Sequence, residues 1–225
     1  MKWIFLLSVV IFAILFIYYF WTQQVKLERK DLFSLESYSI KYKKEIRYQP
    51  PEINFKIYDF PLILDIYQCI RICKESIPLL KEDIITIPGI NDEYIIKKNC
   101  FTCYLDNEDT QFIQSISSIL TKQPISHMEK PEISKYEEGH FYDFHYDMKT
   151  NNSTCIATIY VYLNDDFNGG ETDFESFVIH PEKGKLILVW NSSHGKRIIE
   201  SRHSQRHVII GTKWLITQKV HSVPL

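Results

Sequence analysis

Near the middle of this 225-residue chain, His145-Tyr146-Asp147 sets an imidazole and a carboxylate two positions apart. Side chains at i and i+2 of an extended strand share a face, so both groups could ligate one metal ion while Tyr146 points the other way. A further imidazole from a distant segment would complete a set of two histidines and one carboxylate, which leaves coordination positions open and suits iron(II). His194, His203 and His207 are the candidates. Taken alone the pair is a weak signal, because solvated histidine and aspartate also meet by chance. The other chemistry-bearing group is the five cysteines, Cys69, Cys73, Cys100, Cys103 and Cys155. The odd number leaves at least one unbridged if the rest pair. Cys69 and Cys73 fall on one helical face, and Cys100 with Cys103 frames a C-x-x-C string in a strand-like run. Core or disulfide cysteines fit this pattern better than half a zinc site.

The elements that must position these groups are legible in outline. With 45% apolar residues, 14% aromatics and a net charge of −2, the composition is that of a globular chain, and disorder is excluded. Without a basic patch there is no electrostatic footprint for nucleic acid. Six of the seven glycines lie from Gly139 onward, so tight turns gather in the second half, and no GxGxxG or P-loop string can be written. Apolar residues at helical spacing (Ile66, Ile70, Cys73, Ile77, Leu80) predict a helix within 62–80, and Phe112, Ile113, Ile116, Ile119 and Leu120 predict another over 110–121. After Pro131 the pattern turns to short strands: 132–136, 139–147, 154–163, 177–181, 185–190, 206–210 and 213–220. Helices followed by strands predict an α+β fold with a sandwich or barrel in its second half.

The first residues stand apart. Trp3 to Trp21 is a run of nineteen uncharged residues ending in Ile17-Tyr18-Tyr19-Phe20-Trp21. At about 1.5 Å per residue such a run crosses a hydrocarbon core of roughly 30 Å, and its aromatic end suits a membrane interface. A transmembrane anchor over 1–22 is therefore expected, then a charged stalk over 23–51 closed by Pro50-Pro51, and one folded domain over 52–225.

From Glu132 onward the chain resembles the 2-oxoglutarate- and iron(II)-dependent dioxygenases of the prolyl 4-hydroxylase type. The likeness is carried by four ordered motifs: YEEGHFYDFHYD (136–147), ATIYVYLND with GGETDF (157–165 and 169–174), the P-x-x-G turn and strand of 181–190, and the closing segment from His203 through Gly211-Thr212-Lys213-Trp214. The resemblance implies His145, Asp147 and His203 as the metal ligands, with His203 ten positions before Lys213 as in the family. It implies Lys213, Tyr136 and Thr172 as the groups binding the distal carboxylate of 2-oxoglutarate, and Tyr142 as a catalytic-pocket tyrosine. Where the family commonly has a small, glycine-rich string after the distal histidine, this chain has Ser204-Gln205-Arg206, a departure expected to alter the substrate-side loop.

What the resemblance implies is a double-stranded β-helix, or jelly-roll, with flanking helices. Its cofactors would be Fe(2+), 2-oxoglutarate and ascorbate. The activity would be hydroxylation of a peptidyl proline at the 4-position, with a lysyl residue or a small molecule as alternative substrates. A non-catalytic membrane-tethered jelly-roll and a redox protein built on Cys100 and Cys103 are rivals from other classes. The expected partners are a proline-containing peptide and, through the N-terminal helix, a membrane. Residues flanking the apolar run, Lys2 before it and Lys26, Arg29 and Lys30 after it, slightly favour a cytosolic domain. Sequons at Asn151, Asn152 and Asn191, with the resemblance to enzymes of secretory peptides, favour the lumen of the endoplasmic reticulum, which is the expectation retained.

Overall fold

The computed structural model describes residues 44–47, 56–88, 95–150 and 153–225. The expected anchor over 1–22, most of the stalk, and Asn151 and Asn152 lie outside the described residues. Among the described residues no helix is long and apolar enough to cross a membrane.

The fold is built on one antiparallel sheet. β1 (Lys44–Arg47) pairs with β2 (Lys56–Phe60), so pairing starts inside the segment read as stalk, ahead of Glu52. Next come β3 (Lys81–Pro88), β4 (Ile95–Tyr104), β5 (Glu132–Tyr136), β6 (Phe141–His145) and β7 (Cys155–Tyr162). Three two-residue strands follow, β8 (Asn168–Gly169), β9 (Thr172–Asp173) and β10 (Val178–Ile179), then β11 (Leu186–Trp190). β12 (Ser192–Ser193) and β13 (Lys196–Arg197) form a hairpin before β14 (His203–Gln205), β15 (Val208–Ile210) and β16 (Lys213–His221). The main sheet runs β1-β2-β11-β7-β16-β5-β4-β6-β14-β9-β10, with β3 on β4. β7 and β14 are far apart along this path, yet Tyr160 of β7 touches His203 of β14, and Tyr162 touches Thr172 of β9. The sheet therefore curls until two layers face each other, as in a jelly-roll. Tyr160, Tyr162, Phe174, Ile187 and Leu215 pack in the cluster between the layers.

Two helices bear on this sheet. α1 (Ile66–Ser76) starts at a capping box in which the Asp65 carboxylate accepts from Gln68 N and the Gln68 side chain accepts from Asp65 N. α2 (Glu108–Thr121) starts at the equivalent box of Asn107 and Thr110. The Arg71 guanidinium ties the two together, donating from Nε and Nη2 to Asp109 at 2.7 Å each. Both helices occur where the apolar spacing predicts them, but α1 faces the other way. Cys69, Ile72 and Ser76 are buried, while Ile66, Ile70 and Ile77 are exposed. The small side chains at 69 and 76 let the helix seat closely, and close packing outweighs the larger stripe.

The seven predicted strands of the second half appear with shifted ends, joined by the unpredicted β8, β9, β12, β13 and β14, and Asp147 lies just past β6. β4 matches the strand-like run read around Cys100 and Cys103, while β1, β2 and β3 were not anticipated. Cys100 and Cys103 are both buried in β4, and all five cysteines are free, so the disulfide alternative falls and the core reading stands. Burial pushes the Cys100 thiol up to about 12, the reverse of what a redox pair needs.

Candidate metal centre and cosubstrate pocket

Two strands bring the metal-binding side chains together. β14 pairs antiparallel with β6, and His203 lies opposite His145 in the register, so their rings meet with centroids 4.4 Å apart. Asp147 follows β6 by two residues and turns back to them. Its Oδ1 lies 4.0 Å from His145 Nε2 and its Oδ2 3.9 Å from His203 Nε2. One ligand atom from each of the three lies within 4.8 Å of the others. All three residues are buried.

The surroundings prepare these groups as ligands. His145 Nδ1 donates to the Asp143 carbonyl at 2.8 Å and His203 Nδ1 to the Ser201 carbonyl at 2.9 Å, so each ring turns its Nε2 lone pair to the metal position, where that of His203 meets the Tyr160 hydroxyl at 2.7 Å. Burial pushes both imidazoles below their usual titration range, which keeps them neutral. Burial alone would raise the Asp147 carboxyl, but the Lys219 ammonium, then His203 and His145, hold it well below the usual carboxylate range. Asp147 Oδ2 also accepts from the Thr158 hydroxyl at 2.7 Å and the Tyr160 hydroxyl at 2.8 Å. Two neutral nitrogens and one ionised oxygen, each oriented by a second bond, fit a divalent iron ion with open positions.

The other candidate histidines are elsewhere. His194 is exposed, and His207 stacks on Phe141 with centroids 4.2 Å apart. Tyr142 stacks on His145 at 3.6 Å. It faces an open groove of about 490 Å³ beside the triad, walled by Phe141, Phe144, Asp173 and Ser204.

Lys213, at the start of β16, is fully buried. Its Nζ donates to the Gly170 carbonyl and to Gln205 Oε1, each at 2.5 Å, and lies 5.4 Å from the Tyr136 ring centroid. Burial lowers this ammonium to about 7. Thr172 is also buried, and its hydroxyl is 2.6 Å from Tyr162 Oη and 2.9 Å from Gln205 Oε1. Thr172 and Lys213 thus meet at Gln205 Oε1, while Tyr136 faces the Lys213 ammonium with its ring and packs with Cys100 and Val208.

Several residues of the site were missed. Gln205 was expected on the substrate side; it borders the groove, and its side chain oxygen also accepts from Lys213 and Thr172. Thr158, Tyr160 and Tyr162 share the inward face of β7, a stretch too evenly apolar for its polar atoms to stand out. Lys219 shares the face of Lys213 on β16, and its Nζ is 3.5 Å from Asp147 Oδ1. The six-residue interval between the two lysines was the available signal for it.

A curled two-layer antiparallel sheet holding two neutral imidazoles and a carboxylate at one end, and a buried lysine deeper in, defines a jelly-roll protein with a facial metal triad. Residues 131–221 match the 2OG-Fe(II) oxygenase superfamily; the chain carries that domain and is homologous to prolyl 4-hydroxylases. Fe(2+) and 2-oxoglutarate are the cofactors of that family. The chain is 24% identical over 160 residues to prolyl 4-hydroxylase 1 of Arabidopsis thaliana, covering 60% of this chain and 56% of the plant protein. It is 25% identical over 161 residues to prolyl 4-hydroxylase subunit alpha-1 of Homo sapiens, covering 64% of this chain and 30% of that subunit. It therefore spans about half of the plant relative and under a third of the human one. The fold is shared with the viral collagen prolyl hydroxylase of Paramecium Bursaria Chlorella virus-1 at a TM-score of 0.59 and 21% identity, over 79% of this chain and 96% of that one. A prolyl-4-hydroxylase of Pseudomonas putida shares it at a TM-score of 0.54 and 13% identity, over 75% and 93%.

Proposed function

We propose that this chain hydroxylates peptidyl proline at the 4-position, with 2-oxoglutarate as cosubstrate. The observation that carries the reading is a preoriented triad of two neutral imidazoles and one ionised carboxylate together with the buried lysine at the start of β16. His145, Asp147 and His203 would hold the iron. When bound, iron(II) supplies the activation of dioxygen, coupled to decarboxylation of 2-oxoglutarate to succinate. The chain supplies position, charge and dryness. Lys213 is a point charge suited to the distal carboxylate, with Thr172 and Tyr162 hydroxyls beside it. Its burial excludes water, so a charge-assisted bond there is strong.

The groove beside Tyr142 is the place for an extended peptide, its walls mixing aromatic rings with backbone and short polar groups. The relatives' names, prolyl 4-hydroxylases of plant and animal, support proline as the target. Succinate release with added iron(II), ascorbate and proline-rich peptides is the test, with mass spectrometry to find one added oxygen on proline. Succinate formed without any oxygen on proline would replace peptidyl proline by another substrate. No succinate under any condition would favour a binding module.

We also propose that Trp3 to Trp21 anchors the chain as a single-pass protein with its domain in the lumen of the endoplasmic reticulum. The uncharged run and the sequons support this. Protease protection in intact microsomes, with glycosidase treatment, tests it. A domain digested without detergent and bearing no glycan faces the cytosol.

A further inference from the structure

Lys213 is buried with no carboxylate paired to it among the described residues; its two acceptors are the neutral oxygens of Gly170 and Gln205. A buried ammonium without a counter-anion is costly, and such a site is made to receive one. What occupies that place here is Gln205 Oε1. It accepts from Lys213 Nζ and from the Thr172 hydroxyl. The Thr172 hydroxyl has one hydrogen, spent on Gln205, so the Tyr162 hydroxyl must donate to Thr172 Oγ1. Lysine, threonine and, through it, tyrosine thus converge on a single amide oxygen. The amide faces them with its oxygen, since only that atom can accept from both. Gln205 stands two residues after the metal-ligating His203 on β14, past a shift in the register with β6, and sits opposite Thr172 in the register of β14 with β9.

We propose that the Gln205 amide oxygen is an internal surrogate for the distal carboxylate of the cosubstrate, so that 2-oxoglutarate binds by displacing it and Gln205 sets the cosubstrate affinity. This rests on the reading of the Lys213 pocket as the 2-oxoglutarate site. A carboxylate entering beside the amide meets the lone pairs of a carbonyl already holding its donors, and the two oxygens cannot both take the same hydrogens. The amide must rotate away, and the bonds it gives up are subtracted from the affinity.

The test is calorimetric titration of the manganese(II)-loaded full chain with 2-oxoglutarate in the absence of oxygen, which needs no turnover. Gln205→Ala removes the amide, and Gln205→Leu removes the oxygen while keeping most of the volume, which guards against a collapse of the pocket. Both should bind 2-oxoglutarate roughly tenfold more tightly than the wild type, the worth of one bond to a charged group. Gln205→Glu installs a permanent anion on Lys213 and should weaken binding at least as much. Wild-type binding with equal or weaker binding in both the Ala and Leu variants would overturn the proposal, as would a Glu variant that binds like the wild type. Failure of the wild type and every variant to bind removes the cosubstrate reading along with it.

Discussion

The Tyr160 hydroxyl lies 2.7 Å from His203 Nε2, the nitrogen that faces the metal position, because His203 Nδ1 is committed to a backbone carbonyl. A single lone pair cannot both accept from a phenol and ligate iron. The phenol has one hydrogen, shared between His203 Nε2 and Asp147 Oδ2, so loading the metal takes the nitrogen and leaves that hydrogen to Asp147 Oδ2. Tyr160→Phe leaves both His203 Nε2 and Asp147 Oδ2 of the metal-free protein without their shared donor, whereas in the loaded protein only Oδ2 loses one. The variant's metal-free form should be less stable by about 1–3 kcal/mol, the cost of leaving a buried partner unpaired. The rise in Tm on adding iron(II) should then be larger in the variant than in the wild type. An equal or smaller rise in differential scanning calorimetry would show that the phenol does not occupy the metal-facing nitrogen.

The triad itself is checked by metal content. His145→Ala and His203→Ala should each lose stoichiometric iron(II), since two remaining ligands do not hold the ion against water, and His194→Ala should retain it. Retention in His203→Ala with loss in His194→Ala or His207→Ala would move the third ligand.

Lys213 carries a pH dependence whose sign is determined by its burial. Its folded value is lowered from 10.5 to about 7, so between these values the unfolded chain holds a proton that the folded one lacks, and metal-free stability should rise with pH across that window. Binding of an anion reverses the preference and takes up a proton. Affinity for 2-oxoglutarate should therefore fall above about pH 7, by up to roughly tenfold per pH unit. Lys213→Arg keeps its charge and should flatten the profile, while Lys213→Ala should weaken 2-oxoglutarate about ten- to a hundredfold with iron content unchanged. A flat wild-type profile would mean that the ammonium stays charged throughout.

Lys219 and iron contend for the same carboxylate oxygen. With its Nζ 3.5 Å from Asp147 Oδ1, the ammonium holds the metal-free carboxylate ionised and opposes a second cation. Asp147 is lowered in the fold, so it contributes stability above its ordinary value of 3.8 that is lost as pH falls below it. Lys219→Met should shift that acid loss to higher pH and tighten iron(II) binding severalfold. Acid unfolding curves and metal titrations read the two effects separately, and weaker iron binding in the variant would show that Lys219 orients the carboxylate more than it competes.

Much of the site was legible in the sequence because its parts are local or ordered along the chain. The His145 and Asp147 pair follows from strand alternation, while the choice of His203 among three histidines rests on the family resemblance, which places it ten residues before Lys213. The helices and the later strands follow from apolar spacing and turn residues. The burial face of α1 does not: hydrophobicity favours the stripe of Ile66, Ile70 and Ile77, and only packing against the sheet reveals that the smaller stripe of Cys69 and Ser76 fits. Nor does the early strand β2, whose pairing partner β11 lies far along the chain.

What the linear chain determined by itself is the residue types, their order and the face each takes on its own strand. What only the tertiary structure decided is which faces meet. Tyr160, Thr158 and Lys219 become part of the metal centre, and Gln205 becomes the partner of Lys213, because the sheet curls and closes its two layers on each other. Those contacts join residues from strands that are not neighbours in the sheet, whose distance in space depends on the curvature and register of the whole sheet, which no local pattern specifies.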